Sequence, residues 1–317
     1  MSGAPRKFRL ITRADFDGLV CAMLLKERGL VEAVTFVHPK DMQDGKVPVD
    51  ESVITTNLPY VEGCHLAFDH HASEMVRLGG KAPANHVIVP DAPSTARVVW
   101  DYYGGWESFP NVAEDLMWAV DRGDAAAFTE EEIRDPQGWV LLNFIMDSRT
   151  GLGRFTQFTN SNFELMRQLI DHCRNHTIEQ ILALPDVAQR VKLYREQVPQ
   201  AQEQILRCAT VHGDVVVLDL RRETVIHPCN RFMVYALFPR CNLSMHVIPG
   251  HVSSTTVIAI GRSILNRTSQ VDVGKLTLKY GGGGHVGAGT CQVPTDDADR
   301  VLAALLVEAG AAQTVGN

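Results

Sequence analysis

Through its first half this chain alternates short β-rich runs with helical patterns, and that alternation constrains the fold more than any other feature. Residues 8–12 read as a strand. Residues 18–28 then carry Leu19, Val20, Ala22, Met23, Leu24 and Leu25, a buried helix that ends near Gly29. Residues 33–37, 53–55 and 65–68 read as further strands. Pro93-Ser94-Thr95 opens a helix running through Tyr103, with Ser94 or Thr95 as its cap and Gly104-Gly105 as its stop. Short strands interleaved with helices predict an α/β fold with a doubly wound, mainly parallel sheet. Ligands of such sheets lie at the carboxyl ends of the strands.

The character changes later in the chain. Residues 111–210 are mostly helical, and 186–210 read as one long amphipathic helix. Strands follow at 215–220, 243–248 and 255–260, then a helix at 273–280, a run of four glycines, a strand near 290–293 and a closing helix from Asp296. With 317 residues there is room for about two domains of ~150 residues each. The expected division is a domain over 1–190, a helical linker over 191–210 and a smaller α+β domain over 211–317.

Composition narrows the function classes. The formal charge of −7 argues against a broad basic face for long duplex nucleic acid. No apolar run approaches the ~20 residues that span a bilayer, and residues 1–12 contain no apolar segment of a secretory signal. Seven scattered cysteines without a Cys-x-x-Cys pair read as reduced thiols, hence a cytoplasmic protein. The glycine run has no Lys-Ser/Thr after it as a P-loop would, and there is neither a dinucleotide-binding fingerprint nor a Gly-x-Ser-x-Gly elbow.

The chemistry-bearing residues fall at the ends of the predicted strands. Asp15-Phe16-Asp17-Gly18 follows the first, Asn57 the third, and Asp69-His70-His71 the fourth, while Asp121 and Asp124 close a helical run. Asp-x-Asp-Gly alone is more often a turn with a helix cap, and an isolated His pair is often incidental. Together, carboxylates and imidazoles at one sheet edge suit Mn²⁺, and such mixed sites also take Mg²⁺, Co²⁺ or Fe²⁺. In the second half, Gly281-Gly282-Gly283-Gly284-His285 leaves backbone N–H groups open to an anion. Arg262-Ser263, at a strand end, and Arg231 are further phosphate-binding candidates.

The order Asp15-x-Asp17-Gly18, a polar residue after a later strand, Asp69-His70-His71, a further Asp and a distal Gly-Gly-Gly-Gly-His resembles the DHH phosphoesterase superfamily over 9–293. The stretches His38-Pro39-Lys40-Asp41, Asn57-Leu58-Pro59-Tyr60, Arg149-Thr150-Gly151-Leu152-Gly153-Arg154 and Asn230-Arg231-Phe232 are similar to those of its exopolyphosphatase-related members. The resemblance implies Asp15, Asp17, Asn57, His70 and either Asp121 or Asp124 as metal ligands, Asp69 as an orienting residue, and His71 either facing the substrate phosphate or completing a site. Asp15, Asp17, His70 and His71 would carry catalysis. Arg262, Ser263, Gly282, Gly283, Gly284, His285 and Arg231 would hold phosphate in a DHH-associated domain.

Two positions depart from the family pattern. Arg13 stands where a His is common, and Asn57 where an Asp is common. Asn57 brings no charge, and Arg13 suits a substrate phosphate. One strong metal site and a weakened second one are therefore expected. The implied activity is metal-dependent hydrolysis of a small phosphodiester or phosphate substrate, such as a short oligonucleotide, phosphoadenosine phosphate or a cyclic dinucleotide, in a cleft between two domains. Two alternatives stand beside it: an exopolyphosphatase, or a non-catalytic nucleotide sensor suggested by Arg13 and Asn57. Homodimerisation is left open by the sequence.

Overall fold

The first strand, β1 (Phe8–Arg13), lies inside a five-stranded sheet, second from its edge. Its companions are β2 (Val31–Val37), β3 (Val53–Thr56), β4 (Leu66–Asp69) and β5 (His86–Ile88), in the order β2-β1-β3-β4-β5. Every pairing is parallel, as the alternation of strands and helices predicts. β2 and β3 flank β1 on opposite sides, so the winding reverses between β1 and β3, where such sheets form their ligand crevice. The structure is a computed structural model that describes residues 6–250 and 254–310. Residues 1–5 of the N-terminal segment read for a signal lie outside the described residues.

The helix Phe16–Glu27 explains why this sheet holds together. Its residues from Phe16 to Leu25 are all buried, so it has no polar stripe and lies in the interior. It packs on the helices Thr95–Tyr102, Glu114–Asp124 and Asn162–Asn175. Leu19, Met23 and Leu24 are fully buried with Leu10 and Ile54 of the sheet. Gly18 permits the tight passage from β1 into this helix, since a Cβ there would meet the Arg13 carbonyl oxygen at 2.1 Å. Any side chain at that position would push the helix off the strand end.

The chain divides into two compact units, the second comprising Phe128–Asp135, Arg149–Gly151 and Leu193–Asn317. The helix Pro185–Cys208 carries the chain from one into the other. The second unit is built on a six-stranded sheet of β6 (Ala209–His212), β7 (Val215–Asp219), β8 (Leu243–Pro249), β9 (Thr255–Arg262), β10 (Gly283–His285) and β11 (Ala288–Pro294). Their order is β10-β11-β9-β8-β7-β6, antiparallel except where β7 meets β8. Val217, Met245, Val247, Ile258 and Ile260 form its core with Val301 and Leu305 of the helix Ala298–Glu308. This is the α+β unit expected from the sequence. Among the described residues, no helix is long and apolar enough to cross a membrane.

Three strands differ from the sequence expectation. β5 and β6 are not anticipated, and β10 forms from the glycine run itself, where an open turn is expected. Each holds only three or four residues and lies at the edge of its sheet. Elements this short carry no periodicity of their own, and the pairing partner creates them.

Candidate active site

The residues that follow β1, β3 and β4 gather at the carboxyl ends of those strands. Asp17 sits in the first turn of the helix Phe16–Glu27 and is buried. Its Oδ2 accepts from the backbone N–H of Thr95 at 3.0 Å and its Oδ1 from that of Ala96 at 2.7 Å. Both donors belong to the N-terminus of the helix Thr95–Tyr102, which Ser94 caps through its Oγ. Unpaired N–H groups at a helix start favour a carboxylate.

His70, after β4, has its Nδ1 3.0 Å from the carbonyl oxygen of Ala92. That contact places a proton on Nδ1, so the neutral imidazole, the form that ligates a cation, presents its lone pair at Nε2. Nε2 is buried and lies 2.8 Å from Asp124 Oδ2, but makes no hydrogen bond of acceptable direction. Asp17, His70 and Asp124 each offer one ligand atom, and these atoms all lie within 4.8 Å of one another.

The electrostatics fit a cation in this group. Burial, then the neighbouring charges of Asp124 and Asp15, raise the Asp17 carboxyl to about 7. Burial also opposes charge on Asp124 and His70. Their mutual attraction overcomes it, lowering the Asp124 carboxyl and raising the His70 imidazole to about 9. A buried carboxylate pair with one imidazole lone pair, all converging, is a donor set suited to a divalent ion with mixed oxygen and nitrogen ligands.

Asp121 does not join this group. Its Oδ1 accepts from Ser94 Oγ at 2.7 Å and its Oδ2 from Arg97 Nε at 3.0 Å. It thereby ties the helix Glu114–Asp124 to the start of the helix Thr95–Tyr102. Of the two acids left open by the sequence, Asp124 stands with Asp17 and His70, and Asp121 supports the helix that holds Asp17.

Asp15 is the N-cap of the helix Phe16–Glu27 and lies beside the group, engaged elsewhere. Its Oδ1 accepts from Gly18 N–H at 2.9 Å and from Asn57 Nδ2 at 3.0 Å. Its Oδ2 faces Arg13 Nε at 2.9 Å. Asn57 is buried and has a positive φ of 57°, a backbone region that Asn tolerates better than most residues. With Nδ2 committed to Asp15, its Oδ1 is a buried acceptor without a hydrogen-bond partner.

Asp69 is buried and accepts at Oδ1 from His71 Nδ1 at 2.7 Å and from the His70 backbone N–H at 2.9 Å. This pairing fixes the His71 ring with Nε2 remaining for another partner. Burial works against charge on His71, and the Asp69 carboxylate more than offsets it, so the imidazole titrates above its ordinary value.

In the second unit, Arg262 Nε donates to the Val271 carbonyl at 2.6 Å, and buried Ser263 accepts at Oγ from Leu265 and Asn266 N–H at 3.2 and 2.9 Å. His285 Nδ1 accepts from Gly287 N–H at 3.1 Å, which puts the ring proton of a neutral imidazole on Nε2. The Arg231 guanidinium lies 4.1 Å from the centre of the Phe232 ring. The glycine run serves close packing: a Cβ on Gly282 would meet the Thr290 carbonyl oxygen at 2.2 Å, and one on Gly284 the Ala288 carbonyl oxygen at 2.2 Å. Gly283 has nothing within 4 Å of such a Cβ.

Sequence reasoning does not single out Ala92, Thr95, Ala96 or Arg97 as parts of this site. The signal for two of them is present in Pro93-Ser94-Thr95, which marks a helix start and therefore a carboxylate-binding end.

A parallel α/β sheet that gathers Asp17, His70 and Asp124 at its strand ends has the donor set of a divalent-cation site. The chain is 53% identical to the pGpG-specific phosphodiesterase PggH from Vibrio cholerae, over 96% of this chain and 99% of that one, with a TM-score of 0.83. It belongs to the DHH phosphoesterase superfamily. CDC45 from Entamoeba histolytica shares the fold alone, at 9% identity and a TM-score of 0.50 over 96% and 95% of the two chains. RecJ from Thermus thermophilus, solved with Mn²⁺, is 15% identical with a TM-score of 0.46, over 96% of this chain and 52% of that one. No family model and no curated protein sequence matches the chain.

Proposed function

We propose that this protein hydrolyses a short linear dinucleotide of the pGpG type, using a divalent cation held by Asp17, His70 and Asp124. The observation that carries the reading is the convergence of those three ligand atoms within 4.8 Å at the strand ends. The similarity to PggH supports the substrate class. Mn²⁺ suits the mixed carboxylate and imidazole donors, with Mg²⁺, Co²⁺ or Fe²⁺ as substitutes. This is the strong cation position. A second, at Asp15, is weakened by the partners that residue already has.

The chemistry such an ion supplies when bound is polarisation of a phosphoryl oxygen and acidification of water. The Thr95 and Ala96 N–H groups hold the Asp17 carboxylate in place, and the Ala92 carbonyl keeps the His70 proton on Nδ1. Asp69 holds His71 by Nδ1 and favours its protonated form, so His71 Nε2 donates a proton to the departing oxygen. Arg13 is a phosphate-binding candidate of the first unit, and Arg262, Arg231, Ser263, His285 and the N–H groups of Gly283 and Gly284 are those of the second, with His285 donating from Nε2. The Gly282 N–H, expected to be open to an anion, donates to the Thr277 carbonyl at 3.0 Å instead. All seven cysteines are unbridged, which supports a reducing compartment such as the cytoplasm.

The test is incubation of purified protein with Mn²⁺ and, separately, pGpG, a five-nucleotide RNA and inorganic polyphosphate. GMP release from pGpG, with little product from the other two, is expected. Phosphate release from polyphosphate alone would favour an exopolyphosphatase. Tight nucleotide binding without turnover on any of them would favour a sensor.

A further inference from the structure

We infer that the Arg13 guanidinium takes the place of a second cation in this centre, so that each chain binds one divalent ion and Arg13 supplies the other positive charge to the substrate phosphate. The inference rests on the phosphohydrolase reading above and assigns a charge partner within that same site.

Asp15 carries the argument. A carboxylate has about four lone-pair positions. Gly18 N–H, Asn57 Nδ2 and Arg13 Nε occupy three of those on Asp15, at 2.9, 3.0 and 2.9 Å. The backbone fixes two of these partners: Asp15 and Gly18 form the cap of a buried helix, and Asn57 is buried at a positive φ. Asp15 is therefore a poor ligand for an added ion.

The charges lead to the same count. Asp17 and Asp124, with a neutral His70, balance one divalent ion. Arg13, always protonated, balances Asp15. Asn57 is neutral where an aspartate would set a second carboxylate against Asp15 and call for another cation. A second divalent ion would meet no unbalanced carboxylate among these six residues. The Arg13 side chain keeps a third of its surface exposed, so it is reachable by a phosphate while its Nε stays on Asp15. Guanidinium groups stabilise charge on phosphoryl oxygens as metal ions do.

The experiment is equilibrium dialysis of the full chain against Mn²⁺ with metal analysis, beside steady-state kinetics on pGpG. Wild type is expected to bind one Mn²⁺ per chain. Arg13→Gln should keep that ion and lose about 100-fold in kcat. The double variant Arg13→His with Asn57→Asp should approach two ions per chain and show the spin-coupled resonance of a Mn²⁺ pair. Two ions on wild type, or an Arg13→Gln variant with kcat within twofold, overturns the assignment of Arg13 while leaving the hydrolase reading intact. No bound Mn²⁺ on wild type overturns the metal reading and this assignment with it. Should the double variant not fold, wild-type stoichiometry and the Arg13→Gln kinetics still decide.

Discussion

The backbone N–H of Ala96 donates to Asp17 Oδ1 at 2.7 Å, joining two residues 79 positions apart in the chain. With Thr95 N–H on Oδ2, both oxygens of Asp17 are accepting from a helix N-terminus. The acid proposed to bind the cation is thus also a buried structural joint. Asp17→Asn turns one oxygen into an NH₂ group that opposes an N–H donor. The variant should lose at least about 100-fold in turnover and about 1–3 kcal/mol in stability of the metal-free protein. Steady-state rates and urea unfolding in EDTA measure the two effects separately.

Asp121 and Asp124 should separate cleanly. Asp124→Asn removes a carboxylate from the cation position and should abolish the rise in Tm produced by Mn²⁺. In wild type that stabilisation reaches about 2.7 kcal/mol at 100 times Kd. Asp121→Ala strips Ser94 and Arg97 of their partner and should reduce stability by about 1–3 kcal/mol while the Mn²⁺ response remains. Thermal scans of both variants with and without Mn²⁺ give the comparison. The assignment is wrong if the two behave alike.

The glycine run predicts a position-dependent result. Gly282→Ala and Gly284→Ala each force a Cβ to within 2.2 Å of a carbonyl oxygen of β11. Gly283→Ala meets nothing. The first two should destabilise the second unit by about 1–3 kcal/mol or more, whereas Gly283→Ala should leave the melting curve unchanged. Circular dichroism melts of the three variants provide the check.

His246, on β8, offers a pH test away from the metal site. Burial holds its imidazole down to about 4. In the unfolded chain the same ring titrates near 6.5. Between those values the unfolded state binds a proton that the folded state does not. Stability from this residue is therefore complete above pH 6.5 and falls as pH drops toward 4, by at most about 1.4 kcal/mol per pH unit. Urea unfolding of the metal-free protein at pH 7.5, 6 and 5 should show the fall, and His246→Leu should reduce its slope.

Much of this architecture is legible in the order of residues. Strand runs and helical apolar patterns are local, so the parallel sheet can be read from the first 103 residues. Because such sheets collect ligands at one edge, Asp15, Asp17, Asn57, Asp69, His70 and His71 could be assigned to that edge from their positions after strands. Packing alone separates Asp124 from Asp121. They lie three residues apart on one helix, both near its C-terminal end, and no local pattern distinguishes them. Arg97 and Ser94 claim one and His70 meets the other because of where neighbouring elements fall. The same holds for Arg13 and Asp15, whose pairing depends on the close turn that Gly18 allows, and for Thr95 and Ala96, whose N–H groups reach Asp17 across 78 and 79 residues. Periodicity along the chain reports which face of an element is buried. Which polar groups meet once it is buried follows from distances between segments remote in sequence, and those exist only in the folded protein.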